Sequence, residues 1–257
     1  MMVKSPIMLK PVMTSSPSFR IVEIFESLQG EGHNTGMPAI FIRLGRCSLA
    51  CSWCDTDYLR YQHMSIDDIF QAIATYTAKN IIITGGEPSI HPHLEVLLSA
   101  LKAKGYFLCI ESNALHTISP LIDYIAVSPK YCYEERYEKD CIAQADEVRI
   151  VVDIFKIGQP VTTETKESSQ YEPPLAPEQI QLAQARFIAW CQHITNKIQA
   201  KHYFLSPLEE GGQMNILQTL ALIGQLNARN EEEKHAKETI KPHWQLSLQT
   251  HKLANIQ

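Results

Sequence analysis

Residues 46–58 read RCSLACSWCDTDY, and in this stretch Cys47, Cys51 and Cys54 have the spacing C-x3-C-x2-C. Three thiolates at such short spacings can bind one iron–sulfur cluster, and no further cysteine lies close enough in sequence to complete a four-cysteine set. A four-iron cluster held in this way has one iron open to another ligand. The segment therefore predicts an iron–sulfur cluster bound to a loop. Because one iron is open to a ligand, we expect this loop to lie at the functional site.

Zinc is the main alternative for these cysteines. A structural zinc ion usually takes four ligands from two knuckles, and neither His63 nor the other four cysteines supply a second knuckle of zinc-like spacing. A catalytic zinc ion with three cysteines within eight residues would be unusual. The softness and spacing of the ligands favour the iron–sulfur cluster over zinc. A disulfide framework is favoured least, because the seven cysteines are an odd number spread over a long chain.

The composition predicts one large globular domain. The chain has 257 residues, of which 45% are hydrophobic and 20% charged, and its formal net charge is −5. This acidic balance gives no reason to expect direct nucleic-acid binding. No apolar run has the length of a membrane span or of a secretory signal. We expect a cytoplasmic protein with a flexible tail over residues 1–18 and a single domain over residues 19–257.

Short apolar runs rich in β-branched residues alternate with helical patterns, which predicts parallel strands joined by crossovers. Two of the predicted helices are Ser65–Thr77 and Ile180–Ile198. Two polar segments, 157–179 and 227–239, are predicted to be insertions, the second a solvated helix end or loop. The predicted strands are Ile21–Phe25, Ala39–Leu44, Asn80–Thr84, Tyr106–Glu111, Tyr124–Val127, Glu147–Val152, His202–Leu205 and Gln245–Leu248.

Polar motifs follow four of these strands where they end. They are the cysteine loop, Gly85–Pro88, Ser112–Asn113 and Ser128–Lys130. In α/β barrels the reactive groups lie on the loops after the carboxyl ends of the strands. The four motifs are therefore expected to form one site.

Each motif also has an ordinary structural reading. The two glycines of Thr84–Pro88 let the backbone approach a ligand, but Gly-Gly before proline also makes a tight turn. The segment Glu111–Asn113 offers hydrogen-bonding groups for a ribose or an amide, or a cap for a helix. Arg43 suits a carboxylate bidentately, or a surface ion pair. Gln29, in the glycine-bearing acidic loop after the first strand, suits the edge of a planar heterocycle, or an ordinary turn.

Taken together, these motifs resemble the 7-carboxy-7-deazaguanine synthase family of the radical SAM superfamily. The resemblance runs from Phe19 to the C-terminus apart from the two insertions. It rests on the segments ESLQGEG, FIRLGRCSLACSWCDT, TGGEP, ESNA, VSPK and LSLQTHK, in that order. The sequence departs from the family at Ala114, where a glycine is more usual, which puts the turn geometry there in question.

The resemblance implies a partial (β/α)6-type TIM barrel and a ring contraction. In this family 6-carboxy-5,6,7,8-tetrahydropterin becomes 7-carboxy-7-deazaguanine with loss of ammonia, in queuosine and 7-deazapurine biosynthesis. The implied cofactors are a [4Fe-4S] cluster, S-adenosyl-L-methionine and Mg2+. An electron donor such as flavodoxin or ferredoxin, and a homodimer, are implied by the resemblance alone.

The resemblance also assigns residues to ligands. Cys47, Cys51 and Cys54 bind the cluster, Thr56 binds magnesium, and Gln249 and His251 close the site. The pterin is assigned to Leu28, Gln29, Gly30, Arg43 and Thr84. S-adenosylmethionine is assigned to Trp53, Cys54, Asp55, Gly86, Ser128, Pro129, Lys130, Ser206 and Pro207.

Two other functions remain open on the sequence alone. A radical SAM activase that installs a glycyl radical on another protein would share the cysteine triad and the Gly-Gly-Glu-Pro loop, but it leaves the ESLQGEG segment and Arg43 unexplained. A non-enzymatic metal or iron–sulfur binding module would not need polar motifs at several strand ends.

Overall fold

The computed structural model describes residues 17–154, 176–210, 212–237, 242–254 and 256. Residues 1–16 of the predicted tail and residues 157–175 of the first predicted insertion lie outside this part of the chain. The second predicted insertion overlaps a long helix that continues to Lys237.

In the described residues the helices are α1 (Ile66–Ile73), α2 (Leu94–Ala103), α3 (Glu134–Lys139), α4 (Pro177–Lys197), α5 (Ile216–Lys237) and α6 (Thr250–Leu253). The strands are β1 (Phe19–Leu28), β2 (Pro38–Leu44), β3 (Gln62–Met64), β4 (Asn80–Gly85), β5 (Phe107–Ser112), β6 (Tyr124–Val127), β7 (Glu147–Val152), β8 (His202–Pro207), β9 (Glu209–Glu210), β10 (Gln213–Met214) and β11 (Trp244–Leu246).

Nine of these strands form one sheet in the order β11-β8-β7-β6-β5-β4-β2-β1-β3. Neighbouring strands from β2 through β8 to β11 pair in parallel. Strands β2, β4, β5, β6, β7 and β8 are the six parallel strands of the predicted partial barrel, and β11 extends them by one. The predicted fold class is confirmed.

Strand β1 differs from the parallel arrangement that we expected. It pairs with β2 in the antiparallel sense, and the connection between them spans only residues 29–37. A parallel crossover needs a dozen or more residues, so this short connection can only return the chain antiparallel. Strand β3 adds antiparallel to the outer side of β1, and the sequence analysis did not predict it.

Helix α1 shows how local sequence sets an element. Ser65 is its N-cap, and the Ser65 and Asp68 side chains form a reciprocal capping box. Ile69 and Ile73, one turn apart, are fully or almost fully buried against the sheet. Each such side chain contributes on the order of 2 kcal/mol through burial.

Loops from the two sides of the open sheet contact each other. The loop after β1 contacts the segment after β11, because Gly32 N donates to Ser247 Oγ at 2.9 Å and Thr250 Oγ1 donates to Gly30 O at 2.9 Å. These contacts hold residues from both ends of the strand order around one space. No helix in the described residues is long and apolar enough to cross a membrane.

Candidate active site

A cavity of about 770 Å3 lies where the strand-end loops and the two edge loops meet. Every predicted site residue except Pro129, which is buried, lines this cavity. Those residues are Leu28, Gln29, Gly30, Arg43, Cys47, Cys51, Trp53, Cys54, Asp55, Thr56, Thr84, Gly86, Ser128, Lys130, Ser206 and Pro207. Gln249 and His251 line it as well.

The three motif cysteines lie on one wall of the cavity, and all three are free thiols. Cys54 is exposed, and Cys47 and Cys51 are half-buried. A hydrogen bond with the Cys132 thiol, together with the charge of Lys130, outweighs burial and lowers the pKa of Cys51 to about 7. Burial raises the pKa of Cys47. The Cys51 thiol is therefore shifted towards the deprotonated form that metals bind.

This donor set fits a cluster better than a single ion. Within the described residues no three His, Cys, Asp or Glu side chains gather closely enough to hold one metal ion, which is what zinc would need. A four-iron cluster makes no such demand, because each thiolate binds a different iron atom. Cys47, Cys51 and Cys54 are the residues that would hold it.

Gly85, the last residue of β4, and Gly86, which follows it, allow two loops to approach closely. A Cβ atom on Gly86 would lie 1.9 Å from the carbonyl oxygen of Arg46, and one on Gly85 would lie 2.0 Å from that of Leu44. Gly85 also has a φ of +134°. The sequence suggested that these glycines let the backbone approach a ligand. In the structure they let it approach the backbone of Leu44 and Arg46, where β2 leads into the cysteine loop.

Glu87 forms hydrogen bonds with the same loops. It is fully buried, and its carboxylate accepts from Ser112 Oγ at 2.9 Å and from Asn113 N at 2.6 Å. Its backbone N donates to Arg46 O at 2.8 Å. Glu87 thus connects the loops after β2, β4 and β5.

The turn at Ala114 has the unusual geometry that its sequence called into question. Ala114 is fully buried and has a φ of +72°, in the left-handed region. An L-residue other than glycine pays about 1–2 kcal/mol there. The chain nevertheless keeps the turn, because Ser112 and Asn113 are fixed by Glu87.

The part of the cavity near the cysteines is polar and carries a cation. Trp53 donates its indole N–H to Asp153 Oδ2 at 3.1 Å, and the Lys130 Nζ atom lies 5.1 Å above the indole ring centre. Lys130 also donates to Ser128 Oγ at 2.8 Å. Ser206 Oγ is buried and has no hydrogen-bond partner among the described residues. An orphaned hydroxyl, a fixed ring and a cation in one cavity fit a polar ligand such as S-adenosylmethionine.

A carboxylate with three hydrogen-bond donors also lines the cavity. Glu111 accepts hydrogen bonds from Gln29 Nε2 at 3.1 Å, from Thr84 Oγ1 at 2.8 Å and from Arg149 Nη2 at 2.7 Å. Burial alone would raise the pKa of Glu111, but the charge and hydrogen bonds of Arg149 outweigh it and lower the pKa to about 2. Glu111 is therefore ionised across the physiological range.

Arg43 and Thr56 bring a charged group and a hard oxygen to the same cavity. The Nε atom of Arg43 lies 2.6 Å from Glu23 Oε1, and its guanidinium carbon lies 6.0 Å above the ring centre of Phe25. Thr56 is half-buried on the cavity wall two residues after Cys54. A threonine hydroxyl suits magnesium, which keeps most of its ligands from water and substrate.

The segment after β11 covers the cavity at Gly30. A Cβ atom on Gly30 would lie 2.0 Å from His251 Nδ1, so a larger residue here would require the His251 side chain to move. Lys252 Nζ lies 3.0 Å from Glu209 and 3.5 Å from Asp55 in the cysteine loop. The C-terminal segment thus connects the loop after β1 with the cysteine loop.

Sequence reasoning missed Arg149, Asp153, Glu31 and Cys132. Arg149 and Glu147 interrupt an otherwise apolar strand, EVRIVV, and this pattern of charges inside a buried strand was the signal available. Asp153 and Cys132 carried no signal in sequence, because their partners Trp53 and Cys51 lie about 80 to 100 residues away.

The chain is similar to several proteins of known family. The model of the radical SAM superfamily matches residues 41–164. A 7-carboxy-7-deazaguanine synthase of Neisseria meningitidis serogroup B is 50% identical over 246 residues, which cover 96% of this chain and 98% of the relative. That of Haemophilus influenzae is 47% identical over 241 residues, covering 94% and 95%. A crystal structure of QueE from Escherichia coli superposes with a TM-score of 0.57 at 25% identity, covering 90% of this chain and 93% of that one.

Proposed function

The chain belongs to the 7-carboxy-7-deazaguanine synthase family of radical SAM proteins, and from this membership we propose how its residues divide the work of the reaction. The reaction contracts the ring of 6-carboxy-5,6,7,8-tetrahydropterin to 7-carboxy-7-deazaguanine and releases ammonia, in queuosine biosynthesis. The protein is an enzyme, a carbon–nitrogen lyase, with S-adenosylmethionine and a [4Fe-4S] cluster as cofactors.

One observation carries this assignment beyond family membership. The same cavity has the cysteine triad on one wall and, on another, the carboxylate Glu111 with Gln29 and Thr84 bonded to it. A radical source needs a substrate fixed beside it, because reaction depends on close and aligned contact. A glycyl-radical activase acts on a protein substrate, and that function does not account for Glu111 and its hydrogen-bond partners in the cavity.

We assign the pterin to the carboxylate side of the cavity. The 2-amino-4-oxo edge of a pterin presents adjacent N–H donors, and an ionised carboxylate accepts such donors strongly. Glu111 supplies the acceptor, and Leu28, Gln29, Gly30 and Thr84 shape the wall around it. We assign the 6-carboxylate to Arg43, because its planar fork matches a carboxylate bidentately.

We assign S-adenosylmethionine to the wall of Trp53, Lys130 and Ser206. Gly86, Asp55, Ser128 and Pro207 line the cavity around it, while Pro129 shapes the turn from a buried position. When bound and reduced, the cluster and S-adenosylmethionine supply the 5′-deoxyadenosyl radical that begins the reaction. The side chains of this wall orient the cofactor and keep bulk water from it.

Several further assignments complete the proposal. Thr56 is the magnesium ligand, and the ion would help hold the substrate carboxylate near Arg43. An electron carrier such as flavodoxin or ferredoxin reduces the cluster. The protein acts as a homodimer in the cytoplasm, with no direct contact to nucleic acid or membrane.

The test is turnover by the full chain. Anaerobically reconstituted protein should convert carboxytetrahydropterin to a product with the mass of 7-carboxy-7-deazaguanine, in a reaction that needs both S-adenosylmethionine and dithionite. Absence of that product from protein whose reduced cluster is intact would overturn the assignment. One zinc and no iron or sulfide after anaerobic purification would instead support a non-enzymatic metal-binding module.

A further inference from the structure

We infer that Arg149 is a positioning residue for substrate recognition: it holds Glu111 and Glu31 in place as paired hydrogen-bond acceptors for the N–H edge of a 2-amino-4-oxo heterocycle. This inference rests on the proposed function and adds to it the group that organises the binding edge.

Each of the three guanidinium nitrogens of Arg149 lies within ion-pair distance of a different carboxylate. Nη1 and Nη2 donate hydrogen bonds, whereas Nε makes none in the described part of the chain. Nη1 lies 2.6 Å from Glu31 Oε2, Nη2 lies 2.7 Å from Glu111 Oε1, and Nε lies 2.9 Å from Glu147 Oε1. The Arg149 side chain is only 5% exposed. The three carboxylates come from the loop after β1, from β5 and from β7 itself, so one side chain ties three separate elements together.

The three carboxylates have different roles. Glu147 is 3% exposed, and its Oε2 atom already accepts from Tyr124 OH at 2.9 Å and from His33 N at 2.8 Å. It therefore anchors the guanidinium. Glu111 and Glu31 are 26% and 23% exposed and line the cavity.

The two cavity carboxylates retain capacity for a ligand. A carboxylate has about four acceptor sites, and Glu111 accepts three hydrogen bonds. Glu31 accepts from Arg149 through Oε2, and within the described part of the chain its Oε1 atom makes no hydrogen bond. A ligand edge with two or more N–H donors fits these remaining sites, whereas an edge of acceptors would be repelled.

Only a guanidinium suits this arrangement. Three carboxylates meet one cation, so the cluster carries two negative charges in excess. A planar fork can contact all three carboxylates, while a lysine ammonium is a single point of charge. Without any cation, repulsion between neighbouring carboxylates would make one of them take up a proton. That carboxyl would then present a donor where the substrate also presents one.

The experiment compares Arg149→Met and Arg149→Lys with the wild type. The equilibrium dissociation constant for carboxytetrahydropterin is measured anaerobically on the reconstituted full chain with S-adenosylmethionine bound. We expect binding to weaken about 100-fold in Arg149→Met and about 10-fold in Arg149→Lys. KM should rise in parallel, while kcat at saturating substrate changes less than about 3-fold.

A pH profile separates positioning from a merely structural role. The titratable groups that face Arg149 and its partners are Glu31, Glu111, Glu147, Tyr124, His33 and His202. Wild-type binding should be nearly flat between pH 6 and 8. Binding by Arg149→Met should weaken further as the pH falls, because protonation of the carboxylate pair removes an acceptor.

Lys201→Met is the matched control, since it also removes one positive charge. Lys201 is paired with Asp146 at 2.8 Å, but its side chain is 74% exposed. Its pterin dissociation constant should stay within twofold of the wild type, and all variants should keep the iron content and the affinity for S-adenosylmethionine.

The outcomes distinguish the two proposals. Wild-type protein that binds no pterin overturns the proposed function itself. Wild-type protein that binds pterin, with both Arg149 variants binding it within twofold, overturns the role of Arg149 alone. A loss confined to kcat with an unchanged dissociation constant also overturns it. If Arg149→Met lacks native circular dichroism, Arg149→Lys, which keeps the charge, decides the matter.

Discussion

The indole N–H of Trp53 donates a hydrogen bond to Asp153 Oδ2 at 3.1 Å, across one hundred residues of sequence. Trp53 lies between Cys51 and Cys54 of the cysteine motif, and Asp153 directly follows β7. This contact fixes a residue of the cysteine loop against the barrel, independently of the cysteines themselves. Lys130 then covers the indole ring from the loop after β6.

Asp153→Ala should weaken S-adenosylmethionine binding about 5- to 10-fold. The change leaves the Trp53 N–H without its partner, and a lost hydrogen bond of this kind costs about 1 kcal/mol. Asp153→Asn keeps an acceptor oxygen and should retain most of the affinity. Equilibrium dialysis on anaerobically reconstituted protein measures both. Equal affinity in the alanine variant and the wild type would show that the contact does not position Trp53 for the cofactor.

Iron analysis tests the cluster ligands. Cys51→Ala should abolish cluster assembly, since a ligand from the triad is lost. Cys109→Ala and Cys191→Ala should keep iron and sulfide at wild-type levels, because both thiols are buried and burial raises the pKa of Cys109 to about 12. Cys141→Ala should do the same.

Cys132 is the decisive member of this series, because its thiol forms a hydrogen bond with that of Cys51. We expect Cys132→Ala to keep the cluster, since the triad alone supplies the three thiolates. Loss of iron in that variant, or its retention in Cys51→Ala, would mean that the ligand set is different.

The pH dependence of stability should report the ionised state of Glu111. Its pKa is about 2 in the folded protein, against an ordinary value of 4.5. A depressed carboxyl pKa adds stability above the unfolded value, and that stability is lost as the pH falls towards the folded value. The contribution of Glu111 to the free energy of unfolding should therefore fall by about 2 kcal/mol between pH 5 and pH 3.

Urea unfolding of wild type and Glu111→Gln at several pH values measures this effect. Glutamine cannot ionise, so the difference between the two proteins should shrink by about 2 kcal/mol from pH 5 to pH 3. A difference that is constant over this range would show that Glu111 does not titrate with a depressed pKa.

The sequence predicted the strands and the cavity wall well, because both depend on local patterns. Short apolar runs, several of them rich in β-branched residues, marked all eight predicted strands, and strand-end motifs marked the loops that line the cavity. The antiparallel β1 was missed because pairing direction follows from the short connection at residues 29–37, not from the strand's own residues. Arg149 was missed because its function depends on Glu31 and Glu111, which lie 118 and 38 residues away.

The glycine after β4 gives a sharper test of loop packing. Gly86→Ala would place a Cβ atom 1.9 Å from Arg46 O, so the cysteine loop must move. We expect a loss of stability of about 3 kcal/mol and a reduced iron content per chain. Gly224→Ala is the control, because nothing lies within 4 Å of its added Cβ atom, and alanine stabilises a helix interior by about 0.5–1 kcal/mol. A Gly86→Ala protein with wild-type stability and iron content would contradict this packing.

Ala114 allows the cost of a left-handed turn to be measured in a buried position. Ala114→Gly relieves about 1–2 kcal/mol of backbone strain at φ +72°. It also loses about 0.8 kcal/mol from the buried methyl group and about 0.5–1 kcal/mol from the greater freedom of glycine in the unfolded chain. These effects nearly cancel, so the free energy of unfolding should change by less than about 1 kcal/mol.

Two further variants show whether this cancellation is real. Ala39→Gly removes an equally buried methyl group from a strand residue without a positive φ, so it has no strain to relieve and should lose about 1.5 kcal/mol. Ala114→Val should lose more than about 3 kcal/mol, because a β-branched residue is a severe outlier at positive φ and the site is fully buried. Urea unfolding compares all three. If Ala114→Gly is destabilised as much as Ala39→Gly, the turn at Ala114 stores no strain, and the family's more usual glycine at this position needs a different explanation.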